Sequence, residues 1–302
     1  MSSFQDFPKP AIELFPAPPS GEKEHFSILI PTWNNLDLLQ LCIRSIRENS
    51  AFKHQIIVHV NEGTDGSLDW VRSEGIDYSW SSQNAGVCYS VNAMARLART
   101  DLLLYLNDDM YVCQDWDRVL LETARSIPHR LWYLSGTMIE PVQSRSACVV
   151  SPHDFGRDPH HFLRQDLDAF AARVQKSDWF GASWPPSLVP AELFEKVGGY
   201  SEEFSPGMYS DPDFSMKLWK AGVRDFRGLG KSLVYHFQSR STGKVRKNNG
   251  RKQFARKWGL PASYFYREWL RLGQAWSAEK LMERMDLAYF LARLKSFWIG
   301  FR

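Results

Sequence analysis

A chain of 302 residues, 44% hydrophobic and 24% charged, can bury one large core with an appended segment and is too balanced in composition for bulk disorder. A formal net charge of +3 excludes nucleic-acid binding by bulk electrostatics. Cys42, Cys88, Cys113 and Cys148 form no CxxC pair, which argues against a zinc site or a disulfide framework and for a reducing cytoplasm. No apolar run reaches the length of a membrane span, and the chain does not open on a basic segment followed by an apolar one. The expectation is therefore a cytoplasmic protein, soluble or peripheral at the inner face of the membrane. The 12 tryptophans read first as core filling and second as sugar-contacting surfaces.

Residues 1–24 carry Pro8, Pro10, Pro16, Pro18 and Pro19 among polar residues, which predicts an extended arm outside the core. Ser27 to Ile30 is a short apolar strand ended by Pro31. Leu36, Leu39, Ile43 and Ile46 then recur at helical spacing, with Asn34 and Asn35 as cap candidates. Gln55 to Val60 reads as the next strand, Gly63 to Ser67 as a turn, and the stretch around Leu68 and Val71 as a short helix. Val87, Val91, Met94 and Ala98 mark another helix, and Asp101 to Leu106 a buried strand. Strands alternating with amphipathic helices imply an α/β domain with a mostly parallel sheet flanked by helices on both faces. Ligands of such sheets bind beyond the carboxyl ends of the strands, which singles out the loops 31–35, 61–66 and 107–110.

Three constellations carry chemistry. At Asn107-Asp108-Asp109 an apolar strand delivers two adjacent carboxylates, a repulsive pair that a hard divalent cation offsets; an Asx turn is the structural alternative. Pro212 reads as the first residue of a helix, with Asp211 as its cap and Asp213 as a first-turn acid. Asp211 could serve as a general base only if burial offset the depressing field of the helix terminus. His236, ahead of Ser239, Arg240, Ser241 and Thr242, is a metal or phosphate ligand or a structural histidine. Lys244, Arg246, Lys247, Arg251, Lys252, Arg256 and Lys257 form a basic stretch suited to a diphosphate, an anionic lipid or an acidic acceptor, with a solvated helix face as the structural alternative.

Taken in order, these segments resemble the family 2 glycosyltransferases of the GT-A fold, from about Phe26 to about Gly259. Ile30 to Asn34 looks like the family's opening strand and loop, and Val60 to Ser67 resembles its base-contacting loop. Asn84-Ala85-Gly86 is similar to its N-x-G segment, and Asn107-Asp108-Asp109 occupies the place of the DxD motif. Phe180-Gly181-Ala182 and Val197 to Tyr200 match the acceptor region, Ser210 to Asp213 falls where the family has ED-x-D, and His236 where a late histidine stands.

The resemblance implies a Rossmann-like nucleotide-binding fold and an inverting transfer of sugar from a nucleoside diphosphate, UDP favoured, to a hydroxyl acceptor. It places Pro31, Thr32, Asn34, Asn61, Glu62, Asn84, Gly86, Asn107 and Asp108 at the nucleotide and donor. It gives Asp109 and His236 to a Mn²⁺ or Mg²⁺ ion, Asp211 to the base, and Trp184 and Asp213 to a saccharide or lipid-linked acceptor. Asn107 stands for the first Asp of DxD, Asn61 for the acid that reads the base, and Ser210 for the Glu preceding the catalytic carboxylate.

The competing reading is a non-catalytic sugar binder in which Trp179 and Trp184 stack on pyranose rings. A nicotinamide dehydrogenase lacks its GxGxxG here, and a nucleotidyltransferase its glycine-rich basic loop. The expected domains are the arm 1–24, the catalytic unit 25–259 and a helical tail 260–302, aromatic and basic. In the tail Phe290, Leu294, Phe297 and Phe301 form an apolar stripe beside Arg293, Lys295 and Arg302. The first expectation is that this stripe packs on the catalytic unit; the second is that it lies in a membrane interface.

Overall fold

The structure, a computed structural model, describes residues 9–19, 21–239 and 247–301, without the side chain of Phe301. The sequence features at Pro8, Arg240, Ser241, Thr242, Lys244, Arg246 and Arg302 lie outside the described residues.

In chain order the elements are β1 (Glu13–Phe15), β2 (Ser27–Trp33), α1 (Leu36–Asn49), β3 (Gln55–Asn61), α2 (Ser67–Ser73), β4 (Asp77–Ser81), α3 (Gly86–Ala95), β5 (Leu102–Tyr105) and β6 (Met110–Val112). Then come α4 (Trp116–Ser126), β7 (Trp132–Ile139), β8 (Val149–Val150), α5 (Arg164–Ala171), β9 (Trp179–Phe180), β10 (Ser187–Pro190), α6 (Ala191–Lys196) and α7 (Ser210–Lys220). The chain closes with β11 (Asp225–His236), α8 (Gly250–Trp258), α9 (Ala262–Tyr264), a π-helical turn (Phe265–Trp269) and α10 (Leu287–Phe301). One sheet runs β1-β4-β3-β2-β5-β10-β7-β11-β6, parallel from β4 through β5 and between β7 and β11. β10 sits antiparallel between β5 and β7, and β6 antiparallel on β11. The α/β class and the mostly parallel sheet flanked by helices are as expected.

Side-chain alternation distributes the sheet between two cores. Leu29, Ile57 and Leu103 point to one face, where α3, α6 and α7 pack through Met94, Phe194, Phe214 and Trp219. Ile28, Ile30, Val58, Val60 and Leu104 point to the other, covered by α1 and α4 through Leu39, Ile43, Trp116 and Leu120.

Several local expectations are corrected. β2 does not stop at Pro31 but continues to Trp33, because β5 has ended by then. Leu29 O accepts from Leu106 N on the β5 side, so the alternate residue Pro31 turns its missing N–H toward that same side, beyond the end of the partner. Asn35 makes no capping hydrogen bond. The cap of α1 comes instead from the next loop, where Asp65 Oδ2 accepts from Leu36 N at 2.8 Å while its Oδ1 accepts from Ser67 N at the start of α2. One carboxylate thus serves two helix N-termini. The arm, expected outside the core, contributes β1 to the sheet edge, antiparallel to β4.

The boundary expected at Gly259 falls inside one hydrophobic cluster, since Leu260, Phe265, Trp269 and Leu281 are buried with Phe214 and Trp219. The tail's apolar stripe does not pack on the catalytic unit as first expected. Ala292, Ser296 and Gly300 face α8, with Ser296 Oγ donating to Ala255 O at 2.9 Å, while Phe290, Leu294 and Phe297 point outward. Small side chains allow the two helices to approach closely, and a Cβ on Gly300 would already lie 3.1 Å from Arg256 Cγ.

The floor under β3 is pinned by Asp117 of α4, which is fully buried and accepts from Ala51 N, Phe52 N and His54 Nε2 at 2.8, 2.9 and 2.8 Å. Burial pushes its pKa up, but these hydrogen bonds outweigh burial and hold it below the ordinary carboxylate value. Replacing Asp117 with Ala strands three donors, one of them the buried His54 imidazole, and we expect a loss of about 3 kcal/mol in urea unfolding. The wild-type contribution is present above the unfolded Asp pKa of about 3.9 and disappears as pH falls through the lower folded value, whereas the variant shows no such loss.

Candidate active site

The carboxyl ends of β2, β3 and β5 open into a cleft of about 500 Å³, within the range of small-molecule sites. Pro31, Thr32, Asn61, Asn84, Gly86, Asn107, Asp108, Asp109, Asp211 and His236 all line it. The two carboxylates on which the sequence reading depends, Asp109 and Asp211, therefore share one cavity.

Register brings Asp109 and His236 together. β6 pairs with β11 so that Met110 lies opposite His236, and Phe237 N donates to Asp109 O at 3.0 Å. The side chains then meet, His236 Nε2 lying 3.5 Å from Asp109 Oδ2, while Ser239 N donates to that same oxygen at 2.9 Å. The other imidazole nitrogen, Nδ1, is 3.1 Å from Glu140 Oε1. Burial lowers the pKa of His236, but hydrogen bonds and charges from Asp109 and Glu140 win and raise it to about 9. The effect on Asp109 is reciprocal: burial raises it, and the hydrogen bond and charge of His236, with the Ser239 amide, bring it below the ordinary value. Asp108 has no ion pair with a cation among the described residues. Burial first, and the neighbouring Asp109 charge second, push its pKa up, and Thr32 Oγ1 donates to its Oδ2 at 2.7 Å.

Asp211 is in a different environment. Ser210 opens α7, behind Tyr209 in the cap position, so Asp211 belongs to the first turn and is not the expected cap. Burial alone pushes its carboxyl up to about 7. Desolvation thus acts in the direction that base chemistry requires.

Some expected contacts are committed elsewhere. Asn61 is buried, with Oδ1 accepting from Ala85 N at 2.7 Å and Nδ2 donating to Thr32 O at 3.0 Å, so its amide latches β2 and β3 to the 84–86 loop. Asn84 Oδ1 accepts from Gly86 N at 2.8 Å in an Asx turn. Asn34 and Glu62 stand outside the lining and hydrogen-bond each other, Nδ2 to Oε2, at 3.3 Å. Asp213 does not reach the cleft: it is fully buried and accepts from Lys257 Nζ at 2.9 Å and Trp258 Nε1 at 2.8 Å, which corrects its assignment to an acceptor. Trp184 likewise lies away from the cleft, stacked on Trp179 and edge-on to Tyr266.

Sequence reasoning missed Trp33, Val87, Tyr105, the 206–208 segment and Gln238, all of which line the cleft, and Glu140 behind His236. Pro206 is in the wall because Val87 N donates to its carbonyl at 2.9 Å. Lys247, from the basic stretch, also lines the cleft.

Against known proteins, residues 27–142 match the model of Glycosyl transferase family 2. The "Uncharacterized protein y4gI" of Sinorhizobium fredii is 23% identical over 264 residues, covering 80% of this chain and 27% of that protein. The "O-antigen biosynthesis protein RfbC" of Myxococcus xanthus is 23% identical over 224 residues, covering 70% and 17% respectively. The chain therefore spans about a quarter or less of the length of these curated relatives. Among solved structures, S. aureus TarS 1–349 in complex with UDP superposes with a TM-score of 0.51 at 15% identity, over 70% of this chain and 60% of that one. S. aureus TarS in a longer form gives 0.50 at 14% identity, over 77% and 39%. The chain thus resembles the family 2 glycosyltransferases and has a GT-A-like fold.

Two predictions follow from this geometry. Gly86 has φ +72°, and a Cβ there would lie 2.6 Å from Pro206 Cα, so Gly86→Ala should push the 206–208 wall away and weaken nucleotide binding about tenfold or more in calorimetry, with the fold retained in circular dichroism. The His236 bridge stabilises fully below the unfolded His pKa of about 6.5 and is lost as pH rises through about 9. Thermal midpoints of the wild type relative to His236→Gln should converge across that interval.

Proposed function

With residues 27–142 assigned to glycosyl transferase family 2, we propose that this protein is an inverting glycosyltransferase that moves a sugar from a nucleoside diphosphate to a hydroxyl acceptor. The observation that carries this reading is the shared cleft, with an ion-paired Asp109 on one side and Asp211 near neutrality on the other. UDP is the favoured nucleotide, in keeping with the UDP in the TarS 1–349 complex, and polysaccharide or glycolipid synthesis is the favoured setting, in keeping with the name of the M. xanthus relative.

Asp211, with its pKa about 7, is half ionised at neutral pH and basic enough to take the acceptor proton as the oxygen attacks. The new bond forms between that oxygen and the anomeric carbon. The bond from carbon to phosphate oxygen breaks, and the nucleoside diphosphate leaves with the electron pair. Attack from the face opposite the departing group inverts the configuration.

The donor set fits a hard divalent cation that takes its remaining ligands from phosphates, because Asp108 and Asp109 are adjacent oxygen donors at the cleft and, among the described residues, no cation pairs with Asp108. Among the described residues no group of three acidic, histidine or cysteine side chains forms a ready-made metal cage. Asp109 would hold the ion, Mn²⁺ or Mg²⁺, and His236 would ligate it only after giving up its proton. A bound cation offsets the charge that grows on the leaving diphosphate. Without that deprotonation His236 is an imidazolium poised beside the phosphates, and Lys247 adds a second positive charge at the cleft.

A purely sugar-binding role is disfavoured, since Trp179 is buried and donates to Thr137 Oγ1 while Trp184 lies away from the cleft. Asp211→Asn should lower transfer by about a thousandfold and leave nucleotide affinity unchanged. In the wild type kcat/KM should rise with pH through about 7, as Asp211 loses its proton, and the residual rate of the variant should lack that inflection. A nucleotide sugar at a hundred times its Kd should stabilise the fold by about 2.7 kcal/mol, so a thermal-shift panel with and without Mn²⁺ identifies the base. Equal transfer by wild type and Asp211→Asn would overturn the assignment.

A further inference from the structure

α10 presents its large side chains away from the protein. Leu287, Phe290, Leu291, Leu294, Phe297 and Trp298 recur at helical spacing on one face and are 57–75% exposed. Met282 and Met285, just before the helix, are each 68% exposed and extend the apolar surface. On the opposite face Ala292, Ser296 and Gly300 pack against α8. A contiguous apolar patch this size requires an occupant.

The charges around the patch select it. Neither α8 nor α10 carries a carboxylate, whereas α8 contributes Arg251 and Lys252 and α10 contributes Arg293 and Lys295. Arg251, Lys252 and Lys295 line a recess of about 660 Å³ together with Asn249, Trp298 and Ile299. Cations and an indole therefore meet at the margin of the apolar face. That combination matches a bilayer surface, where acyl chains receive the apolar side chains, Trp298 sits at headgroup level and phosphates enter the basic recess.

Packing settles the orientation, because the inner side of α10 lies against α8 and only its outer side is left for a bilayer; among the described residues no helix is long and apolar enough to cross a membrane. We propose that α10 lies in the plane of an anionic membrane, with its outward face in the acyl boundary and the Arg251–Lys252–Lys295 recess holding a phosphate headgroup. This does not rest on the catalytic reading, because none of these side chains lines the cleft.

Flotation of the full chain with vesicles of phosphatidylcholine, alone or mixed with phosphatidylglycerol, tests the proposal. The protein should float with the mixed vesicles at low salt, float poorly with phosphatidylcholine alone, and be released by high salt. Leu294→Glu with Phe297→Glu should abolish flotation. Replacing Arg251, Lys252 and Lys295 with Gln should weaken it about a hundredfold, at about fivefold for each cation.

If a variant fails to fold, the wild type still decides the matter. Brominated acyl chains should quench its tryptophan fluorescence, and Trp298→Phe should remove most of that quenching. Absence of flotation, equal flotation with neutral vesicles, or flotation untouched by these substitutions would overturn the proposal. So would light scattering that shows a dimer which Leu294→Glu dissolves, since a second copy would then own the face.

Discussion

The pairing of Met110 with His236 is the constraint on which the site depends. A strand of three residues, running antiparallel at the far edge of the sheet, fixes Asp109 against an imidazole from a segment more than a hundred residues away. Without that register Asp108 and Asp109 would be two buried like charges side by side, and one would stay protonated. With it, Asp109 is ionised and His236 carries the balancing charge, while Glu140 holds the imidazole from behind and lets it keep its proton well above neutrality. The cleft thus holds a protonated imidazole beside an ionised carboxylate.

At Asp211 burial and a helix terminus act in opposite directions on one carboxylate. A first-turn carboxylate ordinarily gains from the helix terminus, which lowers its pKa. Here Tyr105, Tyr133, Tyr200 and Tyr266 lie near enough for its charge to add to the burial that raises their own pKa values, and loss of water around the carboxylate pushes it up. Asp213, two residues later, is held differently: Lys257 and Trp258 of α8 both bind its Oδ1, so it ties α7 to α8.

What the sequence made legible was local. The apolar runs at Ser27 to Ile30, Gln55 to Val60 and Leu102 to Leu106 identify strands because burial on both faces leaves no room for polar alternation. The polar loops that follow them fall at the carboxyl edge, so most of the cleft was readable before any geometry. β7 was not, because Ser135, Gly136 and Thr137 interrupt its apolar run. All three are nonetheless buried: Ser135 and Thr137 donate to the carbonyls of Trp184 and Leu229, and a Cβ on Gly136 would lie 2.8 Å from Pro186. Glu140 and the 206–208 wall were missed for a different reason, since only long-range register sets Glu140 behind His236 and only the Val87–Pro206 hydrogen bond brings the wall to the cleft. Asn61 illustrates the limit of reading roles from position: it stands at the expected place, yet its amide is spent on Ala85 and Thr32.

The same distinction governs the tail. A stripe of Phe290, Leu294 and Phe297 cannot by itself say whether it faces a core or the outside, because both demand helical spacing. The informative residues were the small ones, Ala292, Ser296 and Gly300, spaced four apart on the opposite side, which only a close helix contact explains. α8 receives that contact through Ala255 and Arg256, and at its other end Gly250 lies against the carbonyl of Met208 in the cleft wall, while Asn248 hydrogen-bonds both backbone groups of Met208. One short helix therefore joins the outward apolar face to the wall of the cleft. Any surface that holds α10 in place also fixes, through α8, the position of Met208, a residue that lines the cleft.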